Sequence, residues 1–152
     1  MGIIGFLKEY DHLRRLPVGE PLASAISYIQ ENLSWPLKVR GIAEATYLSV
    51  RQVERLFRSV LGVSPKAFII KTRVHAAAEH LLTTDWPLSR IALETGFCDQ
   101  SSLTYYFRRE LGIPPNRFRK AGQIWSAHQP TEFVMEESPK TSLTGEQASP
   151  RT

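Results

Sequence analysis

The sequence predicts a helical fold built from two helix-turn-helix units, and three observations carry that expectation. The stretch from Val53 to Ile69, VERLFRSVLGVSPKAFI, returns from Leu103 to Arg119 as LTYYFRRELGIPPNRFR, at an offset of fifty residues. Apolar residues within each copy recur at the spacing of an α-helix. Glycine and proline punctuate both copies at the same places.

The elements follow in chain order. Residues 1–20 form a short N-terminal segment in which KEYDHLRRL could make a turn or two of helix before Pro17. From Leu22 onward Leu22, Ile26, Ile29 and Leu33 keep helical spacing, and Pro36 stops that helix by disfavouring helical dihedrals at Trp35. IAEATYLS from Ile42 to Ser49 is echoed by IALETGFCD from Ile91 to Asp99, with one extra residue in the second turn. Each copy thus spans about thirty residues: a helix of about two turns, a break, a helix of about three turns, then Gly and Pro. Ser49 and Asp99 stand where a side-chain oxygen can accept from free amides at a helix start. Gly62 and Gly112 suit a left-handed helix end, and Pro65 and Pro115 suit the first turn of the helix that follows.

On the second helix of the first copy, Val50 to Leu61, the residues Val53, Leu56, Phe57, Val60 and Leu61 share one side. Leu103, Tyr106, Phe107 and Leu111 do the same in the second copy, Gln100 to Leu111. These are the expected core faces, and Trp86 is expected to join the core. Opposite them lie Arg51, Arg55 and Arg58, and at the same offset Ser101, Tyr105 and Arg108. A buried face, a polar outer face and a short preceding helix at a tight turn outline a helix-turn-helix. The units are assigned to residues 21–121. Residues 122–152 hold a Pro-, Ser-, Thr- and Glu-rich run without a period, so they are expected to form a mostly disordered tail.

Charge follows the same division. From Leu33 to Ala121 there are 14 Lys and Arg against 7 Asp and Glu, and from Gly122 to Thr152 there are 2 against 4. The basic charge sits on the patterned region, where a polyanion would bind. No apolar run approaches the roughly 18 residues of a membrane span, and MGIIGFL is too short for a signal-peptide core, so no membrane partner and a cytoplasmic location are expected. A single cysteine, Cys98, agrees with a reducing compartment and reads as a small buried hydrophobe. His75 and His80 lie five apart, off the spacing of a shared metal site, and no nucleotide loop, nucleophile elbow or CxxC appears. Neither a metal, a cofactor nor an enzymatic activity is expected.

The run GFCDQSSLTYYFRRELGIPPNRFR from Gly96 to Arg119 resembles the signature of the DNA-binding domain of AraC/XylS-type transcription regulators. The pattern is met at Gly96, Phe97, Asp99, Ser101, Phe107, Arg108, Gly112, Pro115, Phe118 and Arg119. The likeness extends over about Leu22 to Ala121. It departs at Leu103, at Tyr105 in place of a common arginine, at Pro114 in place of Ser or Thr, at Tyr47 where the second copy has Gly96, and at His80 in the connecting helix. The resemblance implies an all-α fold of about seven helices, with two helix-turn-helix units joined by a longer linker helix. It implies a sequence-specific transcription regulator, an activator as most of the family are, with duplex DNA and RNA polymerase as partners. No small-molecule effector site is evident, and the sensing domain of many members has no room in 152 residues.

Arginine serves both phosphates and base edges in the major groove. Arg51 and Arg55 are expected to fork onto guanines, Gln52 to read adenine, and Glu54 to accept from cytosine or to restrain an arginine. Gln100, Ser101, Ser102 and Tyr105 offer weaker contacts, so the first unit is expected to discriminate more. Arg58, Lys66, Arg90, Arg108, Arg109 and Arg117 are the phosphate candidates. A linker helix of some 20 residues from Pro65 spans about 30 Å, against about 34 to 36 Å between successive grooves. Either the DNA bends to meet both readers or one reader engages alone. Two alternatives share the helices: a detached DNA-binding half of a ligand-sensing regulator, and a helical protein-interaction module.

Overall fold

The computed structural model describes residues 19–128, with side chains to Ile124. The described residues form seven α-helices and no strand: α1 Gly19–Glu31, α2 Val39–Thr46, α3 Val50–Leu61, α4 Pro65–Thr83, α5 Leu88–Glu94, α6 Gln100–Leu111 and α7 Pro115–His128. Helices α2 and α3 are one helix-turn-helix, α5 and α6 the other, and α4 links them. The turn expected before Pro17 and the disorder expected of residues 129–152 lie outside the described residues.

The helix boundaries follow from side chains that the repeat predicts. The Ser49 hydroxyl accepts from the Gln52 amide at 3.1 Å while Gln52 Oε1 accepts from the Ser49 amide at 2.8 Å, a reciprocal cap on α3. Asp99 Oδ1 accepts from the Ser102 amide at 2.7 Å at the start of α6. Gly62 and Gly112 close these helices with φ of 71° and 80°. The following helices begin on Pro65 and Pro115. Here the units diverge: the Ser64 hydroxyl caps α4 through the Ala67 amide at 3.1 Å, whereas Pro114 offers α7 only its carbonyl, to the Phe118 amide.

The linker helix is shared between two cores. Phe68 and Ile69 in its first half join Leu22, Ile26, Ile29, Ile42, Val53 and Phe57. Val74, Ala77, Ala78 and Leu81 in its second half join Leu88, Ile91, Phe97, Leu103 and Phe107. Phe57 and Phe107, the matched anchors, are fully buried, and each packs edge-on against an aromatic of the helix that follows, Phe68 and Phe118. Burial of such a ring contributes about 2 to 3 kcal/mol. Tyr106 and Trp86 are only partly buried against the second core.

Three expectations need correction. Helix α7 continues past Ala121, so residues 122–128 are helical rather than part of a tail. A Cβ at Gly122 would meet the terminal methyl of Leu82 of α4 and displace that side chain. Helix α1 starts at Gly19, not Leu22. Cys98 is exposed rather than buried, because the extra residue in the second turn pushes it outward before Asp99 caps α6.

The two turns agree in backbone despite their sequences. Tyr47, with φ 57° and ψ 29°, occupies the left-handed region that Gly96 reaches at φ 86°. A tyrosine pays about 1 kcal/mol or more there. Its side chain is 98% exposed, so nothing packs to offset that strain.

Candidate nucleic-acid interface

Burying Val53 and Phe57 turns the opposite side of α3 outward. Arg51, Gln52, Glu54, Arg55 and Arg58 are all exposed there, with Arg51 and Arg55 one turn apart. Among the described residues neither arginine is ion-paired, and Glu54 restrains neither. Two exposed cations in the first half of the helix are therefore available to an anion or a base edge.

Helix α6 is built the same way on Leu103 and Phe107. Its outer face forms an open depression lined by Gln100, Ser101, Thr104, Tyr105, Arg108 and Arg109. Tyr105 is 60% exposed and rests edge-on against Tyr106, which stacks on Phe97. This chain of rings links Tyr105 to the buried Phe97.

The caps engage two of the expected readers. Gln52 Oε1 accepts from the Ser49 amide, so presenting an amide fork to adenine competes with the cap of α3. Ser102 is half-buried, and both its amide and its hydroxyl are directed at Asp99. The amide bond, then the hydroxyl bond from Ser102, hold the Asp99 carboxyl below the usual carboxylate range.

The phosphate candidates divide by setting. Arg58 lies in the last turn of α3, and Arg108 and Arg109 in the last turn of α6, where a cation also favours the helix dipole. Lys66 and Arg117 are exposed in the first turns of α4 and α7. Arg90 lies over the Trp86 ring, 3.8 Å from its centroid.

Two arginines that the site reading passed over hold the units together. Arg73 of α4 donates from Nε to the Leu33 carbonyl at 3.1 Å and from Nη2 to the Trp35 carbonyl at 2.8 Å. Arg119 of α7 donates from Nη2 to the Trp86 carbonyl at 2.6 Å, with Nε at 3.4 Å from the Leu81 carbonyl. Each clamps the loop that enters its unit. A signal for them exists: Trp-Pro-Leu at residues 35–37 recurs at 86–88, extending the repeat upstream. Arg73 also touches the other unit, since a Cβ on Gly96 would strike the Leu33 carbonyl and lie 2.6 Å from Arg73 Nε. Burial lowers the Arg73 pKa, and a smaller effect of Cys98 opposes it.

A family model described as a helix-turn-helix domain matches residues 42–121, both units and the helix between them. The chain belongs to the AraC/XylS-type helix-turn-helix family. Its AraC-type architecture is shared with the crystal structure of the DNA-binding domain of AdpA, the global transcriptional factor, in complex with a target DNA. That likeness has a TM-score of 0.67 and 32% identity, covering 72% of this chain and 98% of that one. SoxS of Salmonella typhimurium, a regulatory protein, is 30% identical over 98 residues, 64% of this chain and 92% of SoxS. The HTH-type transcriptional regulator YfiF of Bacillus subtilis is 37% identical over 92 residues, 60% of this chain and 29% of YfiF. The chain spans about a third of the length of YfiF and of other long curated relatives. No helix among the described residues is long and apolar enough to cross a membrane.

Proposed function

We propose that this AraC-type chain is a sequence-specific DNA-binding transcription regulator that reads two adjacent major-groove segments, with α3 the stronger reader and α6 the more tolerant one. The observation that carries the reading is the pair Arg51 and Arg55, exposed, unpaired and one turn apart, on a helix whose opposite side is locked by Val53 and Phe57. Arginine forks discriminate guanine, while Gln100, Ser101 and Tyr105 make softer contacts. Arg58, Lys66, Arg108, Arg109 and Arg117 supply phosphate contacts, each steepening the dependence of log affinity on log salt by about 0.9. Helix α4, at 19 residues, spans about 28 Å, so engagement of both readers requires the DNA to bend toward the protein, at a cost of a few kcal/mol. The family favours activation through contact with RNA polymerase in the cytoplasm, without enzymatic chemistry, metal or cofactor.

One observation favours a second reading. The chain spans about a third of its long relatives, as the detached DNA-binding half of a ligand-sensing regulator would.

Selection of the purified chain against a random duplex library, followed by sequencing, tests the proposal. Two recovered half-sites, a guanine-rich one under α3, and binding that weakens steeply with salt are expected. No enrichment, or binding insensitive to salt, removes the proposal and leaves the helical protein-interaction module. A phasing assay that finds straight DNA with both half-sites protected refutes the bend.

A further inference from the structure

The loops that enter the two units begin alike, with Trp-Pro-Leu, yet their tryptophans are used differently. Trp35 is 68% exposed. Trp86 is held from several directions: its carbonyl accepts from Arg119, its amide reaches the Thr84 hydroxyl at 3.4 Å, and its ring stacks on His80 at 4.9 Å with planes 24° apart. The guanidinium of Arg90, on the first helix of the second unit, lies over that fixed ring.

The arginines of the two first helices make opposite choices. Arg40 on α2 has a glutamate four residues on and pairs with it, Nε to Glu44 Oε1 at 3.4 Å. Arg90 on α5 also has a glutamate four residues on, the exposed Glu94, and lies over the indole instead. The first arginine has a carboxylate beside it on its own helix. The second keeps its full charge and loses much of its rotamer freedom to a π face, which attracts a cation without cancelling its charge.

In a helix-turn-helix the first helix crosses the DNA backbone while the second enters the groove. A cation on α5, uncompensated and already ordered, is what a phosphate contact needs, because the ordering cost is met before binding. Resting on the DNA-reading proposal above, we infer that Trp86 is a positioning residue: it holds Arg90 for a backbone phosphate beside the segment that α6 reads. Unit one has no counterpart, so the fixed phosphate arm belongs to the unit with the weaker base readers.

A double-mutant cycle on the duplex recovered by selection tests this. Arg90→Gln should lower the salt slope by about 0.9, the loss of one phosphate contact. Trp86→Leu keeps an apolar side chain but no ring face, and should weaken binding about three- to tenfold. In the Arg90→Gln background Trp86→Leu should cost nothing more; with Arg90 intact, Trp86→Phe, which keeps a ring, should retain most of the affinity. A purely structural tryptophan would cost the same in both backgrounds, and that additivity overturns the inference, as does an unchanged salt slope in Arg90→Gln. Should Trp86→Leu lose its cooperative unfolding transition, His80→Leu, which removes the stacked imidazole and leaves the indole, takes its place. It should give a smaller loss that again vanishes in the Arg90→Gln background, and a loss that persists there overturns the inference. If the wild-type chain binds no duplex, the DNA reading and this inference fall together; if it binds and the cycle is additive, only this inference falls.

Discussion

The two helix-turn-helix units share a scaffold of matched positions: Val53 and Leu103, Phe57 and Phe107, Gly62 and Gly112, each pair in the same environment. They differ at the places that face outward or face each other. The first unit carries exposed arginines on α3, caps that helix with a neutral serine, and turns on a tyrosine. The second carries a tyrosine among hydroxyls and amides, caps with a carboxylate, and turns on a glycine pressed against the first unit. A duplicated fold needs its core repeated, because packing tolerates few volumes. Its surface is free to diverge.

The turn glycine gives the largest expected difference. Gly96→Ala combines a left-handed backbone with a collision against the Leu33 carbonyl and Arg73, and should cost about 3 kcal/mol or more in denaturant unfolding. Gly112→Ala, with nothing within 4 Å, should cost about 1 kcal/mol. Tyr47→Gly relieves strain at the matching position but gains freedom in the unfolded chain, and should change stability by less than about 0.5 kcal/mol. Equal losses at Gly96 and Gly112 would show that the two units do not press on each other there.

The clamps come next. Arg73→Leu removes two good charge-assisted hydrogen bonds on a partly exposed side chain and should cost about 2 kcal/mol. Arg119→Leu removes one short and one long bond and should cost about 1 to 1.5 kcal/mol. Amide hydrogen exchange separates them further: Arg73→Leu should loosen both units, because the side chain lies against Leu33 and Gly96, and Arg119→Leu only the second.

Base reading follows. Arg55→Ala should cost about 1 to 3 kcal/mol of DNA binding and relax preference at one base pair, and Tyr105→Ala should cost less. Equal losses of discrimination in a repeated selection would erase the proposed ranking of the readers.

The smallest contrast is between the caps, and it depends on pH. Ser49→Ala should cost about 1 kcal/mol at any pH where the protein is folded, since a hydroxyl does not titrate. The folded Asp99 carboxyl lies below its unfolded value, so its contribution is present above the ordinary carboxylate range and lost as pH falls through the lowered folded value. Thermal melts should therefore show the Asp99→Ala penalty at neutral pH and its disappearance in acid, while the Ser49→Ala penalty persists.

By itself the sequence determined the helices of the two repeated units, their matched caps and their core-facing sides. Each of those depends on local rules of apolar spacing, capping side chains and residues suited to a left-handed φ, and the repeat states every rule twice. It also determined which faces of α3 and α6 turn outward, and so where Arg51, Arg55 and Tyr105 stand. Tertiary structure alone decided which polar side chains are free to bind something else. Gln52 and Ser102 look like readers in sequence but are occupied by their own helix starts. Arg73 and Arg119 look like surface charge but close loops 40 and 33 residues away in chain, and Arg90 prefers an indole to the glutamate on its own helix. A hydrogen bond or a stacked ring is settled by which partners arrive within about 3 to 4 Å once the chain has closed. No spacing along the sequence measures that distance.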